Sequence, residues 1–270
     1  MPRRIPSHAR KVALQLVFAI CPAAALAVYP NNGPDTTFTM VGEFGGASAV
    51  AIDPYWVLTA AHVDGSQFVL PGIGTYNVVQ DITHPFADLR LLEVDQPMPV
   101  YARLDMQDNV GTTVTFAGFG LTGTPRADGT GFDVTSADGN RHSASNKIDY
   151  TEMINFNAGQ TPWDTYVYTL DAPGTPNAVP DEGGISFGDS GGGWFRQQGS
   201  DWLLVATNDA IDYSPGTTDF YAWGATGYGV RDFEYSDWIG IYVPGAVPEP
   251  ASMAAIGLGI AGLAVRRRRR

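Results

Sequence analysis

A histidine closes the apolar, β-branched run Val57-Leu58-Thr59-Ala60-Ala61-His62. A serine sits behind an aspartate in the glycine-rich stretch Gly188-Asp189-Ser190-Gly191-Gly192-Gly193. A serine hydroxyl attacks poorly unless a neighbouring base takes its proton, and imidazole is the side chain suited to that near neutral pH. Glycines let a backbone turn sharply enough to aim amide N–H groups at a developing oxyanion. The N–H groups of Gly188 and Ser190 are the candidate donors. The chemistry these residue types suit is nucleophilic acyl transfer.

Taken in chain order, W-V-L-T-A-A-H at 56–62, Asp88-Leu89-Arg90-Leu91-Leu92 and G-D-S-G-G-G at 188–193 resemble a trypsin-like serine protease of the chymotrypsin fold. The likeness covers roughly residues 38–243 as an ordered series of patches. It implies His62 as base, Asp88 as the carboxylate that orients it, and Ser190 as nucleophile; this chain order is one of several convergent ones. It implies a polypeptide substrate hydrolysed through an acyl-enzyme, with no cofactor and no metal. By the same likeness the residue six before the nucleophile, Gly184, is expected at the base of the primary pocket, with Ile185 and Phe187 adding apolar surface near it. Glycine offers no carboxylate to a substrate Lys or Arg, so an uncharged residue is expected before the cut. Asn208, Asp209 and Asp212 lie on the segment expected to form the other wall, where an acid would restore a basic preference.

The chain departs from the family at named positions. Val63 stands where the family often has a cysteine, Arg90 where a small or apolar residue is usual, and Gly193 where proline is common. The family's carboxylate before the nucleophile often pairs with a newly cut N-terminal amine. Here there is no Ile/Val-Val-Gly-Gly start, and Val41-Gly42 lies too close to His62 for that arrangement. Asp189 is left to pair with another group or with water. His84-Pro85 is expected to shape the turn into the Asp88 strand, and His142 to be exposed in a polar loop. A zinc site drawn from His62, His84, His142 and an aspartate lacks tight ligand spacing. The competing reading is a catalytically silent, protease-shaped binding or matrix protein.

The elements that must carry these residues read as all-β. Short apolar or alternating runs cover 38–44, 48–52, 56–60, 67–70, 75–82 and 89–94. A second set covers 112–119, 147–156, 165–170, 192–196, 202–207 and 220–224, with a long loop over 120–146. Gly, Pro and Asp punctuate both, as in a barrel or sandwich. The resemblance narrows this to two six-stranded antiparallel β-barrels of the trypsin-like fold, about 38–108 and 109–234, with a C-terminal helix over 235–243. Tyr235, Trp238, Ile239 and Tyr242 fall at roughly helical spacing.

Both ends read as addresses. Residues 1–27 have the basic, apolar and small-residue parts of a secretory signal peptide, a substrate for signal peptidase. Val247-Pro248-Glu249-Pro250-Ala251, an apolar stretch and Arg266–Arg270 resemble a PEP-CTERM sorting tail over 245–270. That likeness implies an exosortase-type sorting enzyme as partner and a Gram-negative source. A helix over 251–265 would be about 22 Å long, short for a stable span. Transient inner-membrane anchoring is expected, then release to the outer surface or extracellular matrix. The protease domain then spans 28–244. Between the two basic ends, seven Lys and Arg face 27 Asp and Glu, a surface that repels nucleic acid. The one cysteine, Cys21, lies in the expected signal peptide, so no disulfide braces the body.

Overall fold

The computed structural model describes residues 33–157 and 159–247. The expected signal peptide and all but the start of the sorting tail lie outside the described residues. Six short strands come first: β1 (Val41–Phe44), β2 (Ala47–Asp53), β3 (Trp56–Thr59), β4 (Gln67–Leu70), β5 (Gly74–Thr83) and β6 (Arg90–Val94). Gly45-Gly46, Asp53-Pro54 and Pro71-Gly72 break the runs, and the strands pair antiparallel with their neighbours. They close as a barrel in the order β1-β2-β3-β6-β5-β4, with Phe44 opposite Phe68 at the seam. Phe44, Ala51, Val57, Phe68, Tyr76 and Leu92 fill its interior.

The remaining strands are β7 (Arg103–Leu104), β8 (Thr113–Gly118), β9 (Thr122–Pro125), β10 (Phe132–Ser136), β11 (His142–Lys147), β12 (Tyr150–Ile154), β13 (Trp163–Thr169), β14 (Gly193–Gln198), β15 (Asp201–Asp212) and β16 (Thr226–Arg231). They form an eight-stranded sheet in the order β11-β8-β14-β15-β16-β13-β12, with β7 lying parallel on β15. Strands β9 and β10 make a separate hairpin. The ladder of the second sheet is not the closed six-stranded ring expected. The reason lies at Ile148–Asp149. The Ile148 N–H donates to Thr112 O at 2.9 Å and the next N–H, of Asp149, donates to Val167 O at 2.9 Å. One run of chain therefore pairs first with β8 and then with β13, and the crossing chain bridges the seam. Phe116, Ala144, Tyr166, Tyr168, Trp194 and Val205 pack inside the curled sheet.

Two local expectations are corrected. The strand expected at 220–224 is instead Thr226–Arg231. Gly227 and Gly229 weaken its sequence signal, but both are required: a Cβ at Gly227 would strike the Tyr168 ring, and one at Gly229 the Trp194 indole. The expected loop over 120–146 holds the β9–β10 hairpin and the start of β11. Their Gly, Thr, Asp and Ser content reads as turn, yet the strands find partners in each other and in β8. His142 is consequently fully buried rather than exposed, with its Nε2 3.0 Å from Asp138.

The largest apolar cluster lies between the barrel and the sheet. Phe38, Val50, Leu58, Leu89 and Leu91 meet Phe119, Trp163, Phe195, Leu204 and Val230 there. The chain ends its described course in a 3-10 turn (Asp232–Tyr235) and a short helix, α1 (Ser236–Tyr242). Ile239 and Val243 plug the same interface, and Trp238 lays its ring 4.9 Å from that of His84. Each such side chain buried contributes roughly 1.5–3 kcal/mol.

Asp232 and Asp189 are fully buried and Glu182 is half-buried. Burial pushes Asp232 up to about 8, and Glu182 and Asp189 up to about 7, against hydrogen bonds that favour their ions. Each folded-state value is raised above its unfolded one. The native state therefore holds extra protons between roughly pH 4 and 8, and stability falls as pH rises through the raised values. Thermal unfolding should show a Tm at about pH 8.5 that is several degrees below that at about pH 5, since about 1 kcal/mol moves Tm by ~2–4 °C in a domain of this size. Asp232→Asn should flatten that decline; a Tm that rises over the same interval contradicts it.

Candidate active site

The β3–β6 ladder fixes the first two residues. Thr59 pairs with Arg90, so the C-terminal end of β3 lies beside the N-terminal end of β6. His62 follows β3 by three residues and Asp88 precedes β6 by two, which delivers both to one end of the barrel. The His62 N–H donates to Asp88 Oδ1 at 2.9 Å, and Nδ1 lies 2.5 Å from Asp88 Oδ2. A carboxylate facing Nδ1 holds the proton there, leaving Nε2 as the free acceptor. The Asp88 side chain is 5% exposed and that of His62 37%. Burial alone would raise Asp88, but the His62 hydrogen bond and charge, with a hydrogen bond to Asp209, hold it below the usual carboxylate range. Phe156 turns its ring edge-on to His62 at 5.8 Å.

Arg90 has a use at this corner. Its Nη1 donates to Val63 O at 2.8 Å and to Asp64 Oδ1 at 2.7 Å. The guanidinium thereby ties the residue after His62 to β6.

Ser190 arrives from the other half. Ser48 on β2 docks its loop: the Ser48 N–H donates to Ser190 O at 3.0 Å, and Ser48 Oγ donates to Gly188 O at 3.0 Å. Ser48 Oγ also accepts the Phe119 N–H at 2.9 Å, and Ser48 O accepts Thr59 Oγ1–H at 2.9 Å. Gly191 lies flat on this contact with φ 81°; a Cβ there would strike Thr59 Oγ1 and the Ser48 carbonyl. The serine loop is thus seated on the strand that leads to His62.

The backbone donors of the loop divide in two. Asp189 N–H bonds to Ser186 O at 3.1 Å, Gly191 N–H to Asn208 O at 2.9 Å, and Gly192 N–H to Asp189 O at 2.8 Å. The N–H groups of Gly188 and Ser190 have no acceptor among the described residues. Gly188 has a φ of 93°. This is the pair that the sequence singles out to receive an oxyanion.

Asp189 is fully buried and its partners are internal. It accepts the Gly120 N–H at 2.6 Å, the Ser186 N–H at 2.7 Å and the Ser186 hydroxyl at 2.9 Å. Gly118 and Gly120 make the room, since a Cβ on either would strike the carboxyl.

The three pocket candidates part company. Gly184 is buried, and Ile185 packs with Tyr168 and Trp194 in the second core, its N–H on Tyr168 Oη at 2.8 Å. Phe187 is 56% exposed and meets Phe220 edge-on at 5.4 Å; Phe220 stacks on Tyr213 at 4.1 Å. Of the other wall's polar residues, Asn208 Nδ2 holds Asp189 O at 2.9 Å, and Asp209 accepts Trp163 Nε1–H at 2.7 Å. His84 and His142 do not converge with His62. His84 Nδ1 accepts the N–H groups of Phe86 and Ala87, which shapes the turn before Asp88. Among the described residues, His62, Asp88 and Asp209 do gather, with ligand-type atoms within 4.8 Å of one another. Sequence reasoning missed Ser48, Trp163 and Phe156. The available signal for Ser48 was a small hydroxyl inside the apolar run of β2.

Compared with known families, the chain matches the PEP-CTERM protein-sorting motif over residues 246–269. No curated protein matches it. The motif marks an exported protein whose C-terminal tail is processed by an exosortase-type sorting enzyme. Among the described residues no helix is long and apolar enough to cross a membrane, and the expected membrane segment of the tail lies outside them.

The docking role of Ser48 predicts a graded response. Ser48→Ala removes the side-chain partner of two buried backbone groups and should cost about 1–3 kcal/mol, read as a lowered Tm. Gly191→Ala should cost more, because it meets backbone at a positive φ. Calorimetry that finds Ser48→Ala neutral would remove Ser48 as the seat of the loop.

Proposed function

We propose that the chain is an exported serine endopeptidase of the trypsin-like type, hydrolysing peptide bonds through an acyl-enzyme. The carrying observation is the backbone accounting around Ser190. Over residues 188–192 only Gly188 and Ser190 leave their N–H groups open, in the loop seated on the strand that leads to the His62–Asp88 pair. A surface-binding protein has no need of unclaimed donors at that spot. The two-barrel reading has support as well. If β11 and β12 are counted as one strand bent at Ile148–Asp149, six strands surround the second core, as six surround the first.

In this reading Ser190 Oγ attacks the scissile carbonyl while His62 Nε2 takes its proton. Asp88 holds the imidazole with Nδ1–H toward itself and stabilises the imidazolium. The Gly188 and Ser190 N–H groups donate to the oxyanion. His62 returns the proton to the leaving amine, and water then attacks the acyl-enzyme by the same route. Asp189, already satisfied by Gly120 and Ser186, needs no amine from a cut terminus, so the serine loop forms without that step. Phe187, with Phe220 and Tyr213 beside it, favours an apolar or small residue before the cut. The destination is the outer surface or extracellular matrix, after the tail has been removed.

A fluorophosphonate probe should label the mature protein at Ser190. Ser190→Ala should abolish labelling and lower peptide turnover by on the order of 10⁴-fold or more. A Ser190→Ala protein as active as the parent overturns the assignment. A peptide-library digest should show cleavage after uncharged residues; dominant cleavage after Lys or Arg would point to an acid such as Asp212. Mass spectrometry of the released protein should find Arg266–Arg270 absent; a product that keeps them in the inner membrane contradicts the destination.

A further inference from the structure

Beside Asp88 lies a second carboxyl, within 4.8 Å of both Asp88 and His62. Asp209 is on β15 and is 5% exposed. Its Oδ2 accepts the Trp163 Nε1–H at 2.7 Å. Its Oδ1 is buried and meets no donor. Asp88, Asp209 and His62 place their polar atoms within 4.8 Å of one another. Two carboxylates this close and this dry cannot both be ionised; one must keep a proton.

The donors decide which. Asp88 receives two hydrogen bonds from His62, through the backbone N–H and through Nδ1. Asp209 receives one, from an uncharged indole. The anion is better placed on Asp88 and the proton on Asp209. A proton on Oδ1 also supplies the partner that this atom lacks. Burial, then the Asp88 charge, push Asp209 well above the usual carboxylate range, while Asp88 is held below it. The titratable groups that face Asp209 are Asp88 and His62 from the barrel and Tyr235 from the 3-10 turn.

We propose that Asp209 is a neutral carboxylic acid at physiological pH and donates its proton to Asp88 as a hydrogen bond. It is a positioning residue. It fixes the Asp88 carboxylate in the rotamer that meets His62, and it adds no second negative charge beside the imidazole. The consequence for turnover rests on the endopeptidase reading; the location of the proton does not. The uncharged donor matters because an ionised Asp209 would raise the His62 pKa and leave the base protonated where it should be free.

The test follows the His62 imidazole by NMR titration of the ¹³C-histidine-labelled mature protein, with no substrate present. Asp209→Asn replaces a neutral donor with a neutral donor, so the His62 pKa should move by no more than a few tenths of a unit. A fall of about one unit or more would mean that a negative charge has been removed, and would overturn the proposal. The infrared spectrum at neutral pH should lose a carboxylic-acid C=O band on this substitution; loss of a carboxylate band instead also overturns it. Should Asp209→Asn fail to fold, Asp209→Ser is read in the same way. In the active protein, Asp209→Ala should lower kcat more than it raises KM, and Asp209→Asn should recover most of that loss. A wild-type protein that neither binds fluorophosphonate nor cuts peptides would sink the endopeptidase reading, while the titration would still decide the proton.

Discussion

Everything at the candidate site hangs on the seam where the serine loop meets the first barrel, and one residue makes most of that seam. Ser48 uses its N–H, its hydroxyl and its carbonyl to engage Ser190, Gly188, Phe119 and Thr59. A small hydroxyl suits the task because it donates and accepts at once and takes little space. The flat Gly191 is its counterpart. Apolar packing between the halves brings them together, but such packing is non-directional. The hydrogen bonds at Ser48 set the distance and angle at which Ser190 faces the end of β3. On the proposed reading, a nucleophile and a base supplied by different halves need that second kind of contact, since small misplacements are costly in turnover.

The same seam explains the placement of acids. The surface is heavily acidic, yet several carboxyls are inside and serve as connectors. Asp88 gathers two donors from His62, and Asp189 gathers one donor from Gly120 and two from Ser186. A carboxylate or carboxylic acid has more acceptor sites than any other compact side chain, so it can tie several backbone amides at one point. The cost is desolvation, which surfaces as raised pKa values at Asp189, Asp209 and Asp232. With no cysteine in the body, such internal knots and the Arg90 clamp behind His62 occupy places where a covalent tie is an alternative.

The first barrel was legible in the chain because each of its strands is a short apolar or alternating run bounded by turn residues. The glycine pair after β1 falls where the pattern says it should. The second half was less legible for two reasons. Its β16 is built on Gly227 and Gly229, whose missing side chains are filled by Tyr168 and Trp194 from other strands, so the local signal is weak by construction. Its β9–β10 hairpin is polar and Gly-rich and takes its order from partners. At the site, His62, Asp88, Gly188 and Ser190 could be named because each stands in a short phrase whose residue types suggest a role. Asp209 could be named only as a pocket acid. Its approach to Asp88 depends on a contact between the second sheet and the first barrel, which no local pattern encodes.

Asp209 and Asp189 also illustrate why like residues near one serine do different work. Asp189 is surrounded by backbone amides, donors that cannot be given up without unfolding the loop, so it can accept but has no anion to donate to. Asp209 has one indole donor and an anion, Asp88, within reach. Its favourable state is the opposite one, an acid that gives. The difference comes from neighbours: Gly118 and Gly120 leave room for amides to close on Asp189, whereas Trp163 covers Asp209 and Phe156 meets His62, their two rings edge-on at 4.9 Å. A dry wall of that kind strengthens the His62–Asp88 interaction by lowering the local dielectric, and it penalises a second unpaired charge by the same physics. The neutral acid is the arrangement that satisfies both.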